Sequence, residues 1–165
     1  MKICLIGFQG AGKTTVGRWL ASHLSLDFFD LDDEILAHYS LASIKAVFEM
    51  LGEPQFRKEE RRWLAPILAR PSYVIALGGG AVEALKTVPD DVQVVYLFRT
   101  LRVLEAESKL CPPFWIDGEN PLSSLHQRWE ERHPVYFHTA TAVVLVEKRS
   151  VEDDAYKVLR SLKVF

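Results

Sequence analysis

The stretch Gly7–Thr14, with the sequence GFQGAGKT, decides the fold that we predict for this chain. It matches the phosphate-binding pattern G-x-x-x-x-G-K-[ST] at every fixed position, and it follows the apolar run Ile3–Ile6. Glycines let backbone N–H groups turn towards one anion, and the N-terminus of a following helix adds partial positive charge. Lys13 can then reach the β- and γ-phosphates of a nucleoside triphosphate, and the Thr14 hydroxyl can ligate Mg²⁺. The stretch therefore predicts a strand, a phosphate-binding loop and a helix.

Short apolar runs and helical patterns alternate along the rest of the chain. Strands are predicted at Ile3–Ile6, Asp27–Asp30, Tyr73–Leu77, Val92–Phe98 and Thr141–Val146. Helices are predicted at Lys13–Leu24, around Glu34–His38, and at Ser43–Leu51, Glu53–Ala69 and Val151–Leu162. This alternation predicts an α/β fold, in which a parallel sheet carries helices on both faces as three layers. No break in composition divides the chain, so we expect one domain over residues 1–165.

The segment Ser108–Ser124 has a different character. It contains three prolines and a glycine and shows no helical period. We therefore predict a long loop, approximately residues 108–124, that acts as a mobile lid over the nucleotide.

Composition and charge exclude several classes of protein. The chain has 165 residues, 48% of them hydrophobic, and its formal net charge is −2, whereas a dedicated nucleic-acid binder usually carries a basic stripe. No apolar run approaches the roughly 20 residues of a membrane span. The two cysteines, Cys4 and Cys111, cannot form a disulfide framework. We expect a cytoplasmic monomer with no nucleic-acid or membrane partner.

Two carboxylates lie at the end of the second predicted strand, in the segment FFDLDDEI. Strand alternation would place Asp30 and Asp32 on the same side, at the edge of the sheet where α/β proteins bind ligands. One could support a Mg²⁺ ion while the other takes a proton from an attacking hydroxyl. The alternative is that both serve the next helix as a cap and as first-turn charge. The residues alone favour the two interpretations equally.

Three successive glycines, Gly78, Gly79 and Gly80, follow the buried run Tyr73–Leu77. They indicate backbone that passes close to another group or takes a positive φ, and the alternative is an ordinary strand-to-helix turn. Taken singly, Arg57 would be a solvated charge on a helix, and Arg132 a surface charge near a helix end set by Pro134.

Together these segments resemble the shikimate kinase family. The resemblance rests on GFQGAGKTTVGRWLA, FFDLDDEI, FEMLGEPQFRKEE, ALGGGAV and ERHPVYF, which occur in this order. It implies a fold of the P-loop, nucleoside-monophosphate-kinase type and transfer of the γ-phosphoryl group of ATP to the 3-hydroxyl of shikimate. The product would be shikimate 3-phosphate, in aromatic amino acid biosynthesis. The implied cofactor is Mg²⁺, and the implied small-molecule partners are ATP and shikimate.

The resemblance also implies a role for each matching residue. Asp30 and Thr14 would support Mg²⁺, and the catalytic residues would be Asp32, which holds the reacting hydroxyl, and Lys13. The implied substrate-binding residues are Asp32, Arg57, Gly78, Gly79, Gly80 and Arg132, with Glu60 supporting the site. The implied nucleotide contacts are Gly7, Gly10, Ala11, Gly12, Lys13, Thr14, Thr15 and Asn120.

One position departs from the family. Its lid carries Arg-Pro-Leu where this chain has Asn120-Pro121-Leu122, and an arginine beside a transferring phosphoryl group can contribute on the order of 10³–10⁵ in rate. Lys109 or Arg128 could replace it, and our hypothesis is Lys109, the only lysine or arginine between Arg102 and Arg128. Two other functions stay open: a kinase for another carboxylated polyol, and a catalytically weak, nucleotide-binding regulatory protein.

Overall fold

The structure is a computed structural model that describes residues 1–81, 84, 89–110, 120–147 and 150–164. Strands and helices alternate through most of this length. The strands are β1 (Lys2–Ile6), β2 (Phe28–Asp30), β3 (Tyr73–Ala76), β4 (Gln93–Phe98) and β5 (Ala142–Leu145). The helices are α1 (Lys13–Leu24), α2 (Leu31–Tyr39), α3 (Ile44–Leu51), α4 (Glu53–Leu68), α5 (Leu101–Leu110), α6 (Pro121–Thr139) and α7 (Val151–Ser161).

The five strands form one parallel sheet in the order β2-β3-β1-β4-β5. Strands β1 and β3 lie in its interior and are almost wholly apolar, as expected where helices cover both faces. One face packs against α1 and α7 through residues such as Val16 and Val158. The other packs against α2, α3, α4 and α6 through residues such as Ile35, Leu64 and Tyr136. The predicted three-layer α/β fold is confirmed.

The order of the strands positions the site. Strand β1 lies between β3 and β4, so the loop after β1 reaches the same edge of the sheet as the ends of its two neighbours. In parallel sheets this carboxyl edge is where ligands bind. The phosphate loop and the Gly78–Gly80 segment therefore emerge side by side.

The loop predicted for Ser108–Ser124 is wrong at both ends. Helix α5 continues to Leu110, and α6 begins at Pro121. Proline is well suited to the first turn of a helix, and the side chain of Asn120 caps that turn by accepting from the Ser123 backbone N–H at 3.2 Å. The middle of the predicted lid, residues 111–119, lies outside the described residues.

Two further helix boundaries differ from the predictions. Helix α6 does not end near Pro134 but continues through it to Thr139. A proline removes one backbone donor, yet Trp129 and Tyr136, on either side of it, pack against the core. Helix α2 begins at Leu31 and not at Glu34, because Asp30 caps it. None of the helices in the described part of the chain is long and apolar enough to cross a membrane.

Candidate active site

The phosphate loop has the geometry that its glycines predict. Gly12 precedes α1 with a φ of 87°, a left-handed conformation that side chains disfavour. A Cβ on Gly7 would lie 2.6 Å from the carbonyl oxygen of Leu97, so the loop is pressed against the end of β4. The backbone thus enters α1 with its first N–H groups free of a side-chain cap and able to bind an anion.

Lys13 lies within this loop. Its ammonium donates to the carbonyl oxygens of Gly7 at 2.9 Å and Phe8 at 3.0 Å. Burial lowers the pKa of Lys13 to about 8, against the opposing attraction of the Asp32 and Asp30 carboxylates. A partly desolvated ammonium held over the loop is suited to a phosphate oxygen.

Asp30 caps the next helix and also contacts the phosphate loop. Its side chain caps α2 by accepting from the Asp32 backbone N–H at 3.1 Å, and it also accepts from the Thr14 hydroxyl at 2.6 Å. The predicted strand alternation of Asp30 and Asp32 is wrong, because the strand ends at Asp30 and Asp32 lies in the first turn of α2. The cap nevertheless holds both carboxylates beside the phosphate loop.

The hydroxyl of Thr14 and the carboxylate of Asp30 are hard oxygen donors of the kind that Mg²⁺ prefers. Among the described residues, no three His, Cys, Asp or Glu side chains cluster closely enough to form a metal centre by themselves. Such a sparse donor set fits Mg²⁺, which is usually bound by one or two protein groups together with phosphate oxygens and water.

Two cavities meet at this edge of the sheet. One, of about 440 Å³, follows the phosphate loop and is lined by Gln9, Gly10, Gly12, Lys13, Thr14, Thr15, Asp30, Asp32, Ala76 and Leu77. The other, of about 200 Å³, is lined by Gln9, Lys13, Asp32, Ile44, Phe48, Phe56, Arg57, Glu60, Gly78, Gly79, Gly80, Arg128 and Arg132. We call them the donor cavity and the acceptor cavity. Gln9, Lys13 and Asp32 line both, so these three residues form a common wall.

Asp32 is the residue of this common wall that carries a carboxylate. Burial, reinforced by the nearby Asp30 carboxylate, raises the pKa of Asp32 to about 6, although the positive charges of Lys13 and Arg57 oppose the shift. A carboxylate with a pKa closer to neutrality is a better proton acceptor for a hydroxyl.

Basic side chains dominate the acceptor cavity. The Arg57 guanidinium pairs with the Glu60 carboxylate at 2.6 Å and with Glu53 at 3.1 Å. Only 1% of the Glu60 side chain is exposed, and burial raises its pKa to about 7 in spite of Arg57. Arg128 and Arg132 line the same cavity, which is therefore suited to a small anion.

The glycine segment supplies one wall through close approach and not through unusual backbone angles. None of the three glycines has a positive φ. A Cβ on Gly78 would lie 2.7 Å from Asp32 Oδ1, and one on Gly80 would overlap the Arg57 guanidinium. Side chains here would displace the groups that face the cavity.

Part of the lining was not predicted from the sequence. Ile44, Phe48 and Phe56 are apolar residues of the acceptor cavity, and the sequence placed them only within the predicted helices Ser43–Leu51 and Glu53–Ala69. The sequence also indicated no role for Tyr136, although that residue is the last but one of the quoted segment ERHPVYF. Its hydroxyl donates to the Gly79 carbonyl, beside Arg132.

The two residues that could replace the lid arginine of the family lie in different places. Arg128 lines the acceptor cavity, whereas Lys109 lies in the last turn of α5 and is not among the described lining of either cavity. Asn120 is the cap of α6, and it too is absent from the described lining of the donor cavity.

Comparison with known proteins identifies the family. The sequence model described as shikimate kinase matches residues 9–163. The chain belongs to the shikimate kinase family. It is 38% identical to the shikimate kinase of Francisella tularensis subsp. novicida over 94% of this chain and 91% of that protein. With the shikimate kinase of Nitrosococcus oceani it shares 35% identity over 99% of this chain and 87% of the relative.

Solved structures agree with the assignment to this family. The shikimate kinase from Acinetobacter baumannii in complex with shikimate superposes with a TM-score of 0.85, at 34% identity over 99% of this chain and 93% of that one. A deoxyadenosine kinase from M. mycoides, at 16% identity and a TM-score of 0.61, shares the fold. The family and fold class that the sequence predicted are confirmed.

Proposed function

We propose that this chain transfers the γ-phosphoryl group of ATP to the 3-hydroxyl of shikimate, giving shikimate 3-phosphate and ADP. The observation that carries the proposal is the common wall of the two cavities. Lys13 and Asp32 face both a phosphate loop and a small basic cavity. A phosphoryl group held on the loop would therefore lie next to an acceptor held in the cavity, and such alignment is most of what phosphoryl transfer requires.

The acceptor cavity fits shikimate in size and charge. Its volume of about 200 Å³ suits a small ring acid. Arg57 and Arg132 present guanidinium groups for the carboxylate, and the forked donors of arginine match the two carboxylate oxygens. The backbone of Gly78–Gly80 can approach the ring closely, because glycines carry no Cβ atoms. Cβ atoms at Gly78 and Gly80 would collide with the side chains of Asp32 and Arg57.

Asp32 would serve as the proton acceptor. The 3-hydroxyl oxygen attacks the γ-phosphorus, its proton passes to the Asp32 carboxylate, and the bond from the γ-phosphorus to the β-γ bridging oxygen breaks to release ADP. Lys13 would turn from the loop carbonyls to the β- and γ-phosphate oxygens. Its positive charge would neutralise the negative charge that develops on the leaving β-phosphate.

Mg²⁺ would be held by Thr14 and Asp30, whose oxygens lie 2.6 Å apart beside the phosphate loop. When bound, the ion would neutralise phosphate charge. The N–H groups of Gly10, Ala11, Gly12 and Thr15 would cradle the phosphates.

We also propose that the enzyme acts as one domain and as a monomer in the cytoplasm. The buried, free thiol of Cys4 in the central strand is consistent with a reducing compartment. Sedimentation of the purified protein with ATP and shikimate would show whether it remains a monomer.

The test is ADP release from purified protein and Mg²⁺-ATP, with and without shikimate and beside a panel of other carboxylated polyols. The proposal predicts release that depends on shikimate, and little release with the methyl ester of shikimate, which lacks the charge that the arginines would bind. A stronger response to another polyol acid would assign a different acceptor. ATP binding with no response to any acceptor would favour a regulatory protein.

A further inference from the structure

The hydroxyl of Tyr136 joins two walls of the acceptor cavity. The side chain is fully buried in α6. Its hydroxyl donates to the Gly79 carbonyl and also forms a hydrogen bond with the Arg132 side chain. A hydroxyl can donate one hydrogen bond and accept others. The Tyr136 hydroxyl donates to the Gly79 carbonyl and therefore accepts from the Arg132 guanidinium. One atom thus fixes both a guanidinium and the glycine backbone.

The ring of Tyr136 reaches the phosphate loop as well. It packs edge-on against Phe8, with ring centroids 5.2 Å apart and an interplanar angle of 86°. Phe8 is itself buried and stacks on Trp129, which is another residue of α6. The side chain that bonds lining residues of the acceptor cavity through its hydroxyl therefore packs against the phosphate loop through its ring.

We propose that Tyr136 is a positioning residue, which holds Arg132 and the Gly79 carbonyl in place relative to the phosphate loop and so favours acceptors that carry a carboxylate. The inference rests on the proposed function, since it assigns Arg132 to the carboxylate of the acceptor. A long arginine side chain loses rotamer freedom when it binds an anion, and a hydrogen bond that orders it beforehand reduces that loss. Tyr136 supplies such a bond to Arg132, and both side chains lie against Gly79.

The protein contains a matched control. Tyr96 is also fully buried, and its ring centroid lies 5.1 Å from that of Tyr136. The hydroxyl of Tyr96, however, pairs with His133 Nδ1 at 3.0 Å, and His133 is not in the described lining of the acceptor cavity, whereas Gly79 and Arg132 are. Changing either tyrosine to phenylalanine removes one buried hydroxyl from the same aromatic cluster, but only the change at Tyr136 removes a hydrogen bond to described lining residues of the acceptor cavity.

The test compares steady-state kinetics of Tyr136→Phe and Tyr96→Phe. For Tyr136→Phe we expect KM for shikimate to rise about tenfold, with kcat within about threefold and KM for ATP unchanged, as for a lost binding contact. For Tyr96→Phe we expect KM for shikimate within about twofold of the unmodified protein. On an Arg132→Ala background, Tyr136→Phe should lose most of its effect, because the two residues then act through the same contact.

Three results would overturn the inference: an unchanged KM for shikimate in Tyr136→Phe, an equal rise in both variants, or a full effect retained on the Arg132→Ala background. Absence of shikimate turnover in the unmodified protein would overturn the proposed function instead. The positioning role would then be decided by NMR of the Arg132 Nε–Hε group. Loss of order in Tyr136→Phe alone would support it, and the same order in both variants would overturn it.

Discussion

Replacing Gly80 with alanine would place a methyl group inside the guanidinium of Arg57. The side chain of Arg57 would have to leave, because the alternative is a shift of the backbone that forms the cavity wall. Its departure breaks the 2.6 Å pair with Glu60, a carboxylate of which only 1% is exposed. The substitution therefore tests whether Arg57 is held against the glycine segment by the contacts described above.

The size of the effect follows from these contacts. Breaking a buried ion pair by removing one partner costs about 3–5 kcal/mol. Glu60, whose pKa is raised to about 7, can take up a proton when Arg57 leaves, which limits the loss. We expect a loss of about 2–3 kcal/mol in the free energy of unfolding, or roughly 5–10 °C in Tm. Loss of one hydrogen bond to a charged substrate group, about 1.5–3 kcal/mol, would lower kcat/KM for shikimate roughly 10- to 100-fold.

Two other glycines provide matched controls. A Cβ on Gly79 would lie 3.3 Å from Arg132 Nη1, a contact that a small side-chain movement can relieve. Gly52 has a φ of 73°, a ψ of 159° and open space around it, so Gly52→Ala should cost about 1–3 kcal/mol in stability from backbone strain and leave KM for shikimate unchanged. Thermal unfolding and steady-state kinetics measure both quantities. If Gly80→Ala kept the Tm and the shikimate KM of the Gly79→Ala variant, the packing of Arg57 against Gly80 would be refuted.

Three further predictions concern the chemistry. Because the pKa of Asp32 is raised to about 6, kcat/KM should fall roughly tenfold from about pH 7 to about pH 5 as the carboxylate gains its proton; a flat profile in this range would contradict the role of Asp32. Thr14→Val and Asp30→Asn should each raise the Mg²⁺ concentration for half-maximal rate about tenfold, and an unchanged Mg²⁺ titration would exclude this site. Arg128→Ala should reduce kcat/KM for shikimate at least tenfold and Lys109→Ala less than twofold, since of these two residues Arg128 alone is in the described lining of the acceptor cavity; the reverse order in initial rates would restore Lys109 as the substitute for the lid arginine.

The sequence predicted the donor side of the site well, because that side is built locally. Gly7–Thr14 and α1 are continuous in the chain, and the loop geometry depends on glycines that the pattern names. Asp30 was identified too, but its hydrogen bond from the Thr14 hydroxyl was not predicted. The strand ends at Asp30, because the Asp30 side chain caps α2 there. Asp32 therefore lies in a helix, which the alternation of side chains along a strand could not predict.

The acceptor side could be predicted only in part, because it is assembled from distant elements. Arg57 and Arg132 came from the family resemblance, since each alone has the pattern of a surface charge. Tyr136 and Gly79 are far apart in sequence, and their hydrogen bond depends on how α6 crosses the sheet. The path of α6 was itself mispredicted, because prolines at Pro121 and Pro134 indicated a loop and a helix end where tertiary packing keeps a helix.

The most direct test of the account is the identity of the product. ATP, Mg²⁺, shikimate and the purified protein would be incubated, and the products examined by ³¹P and ¹H NMR. The account predicts ADP and one phosphate monoester, whose phosphorus couples to the ring proton at the 3-position. Inorganic phosphate without an ester, or an ester at another hydroxyl, would contradict the alignment of the two cavities through Lys13 and Asp32.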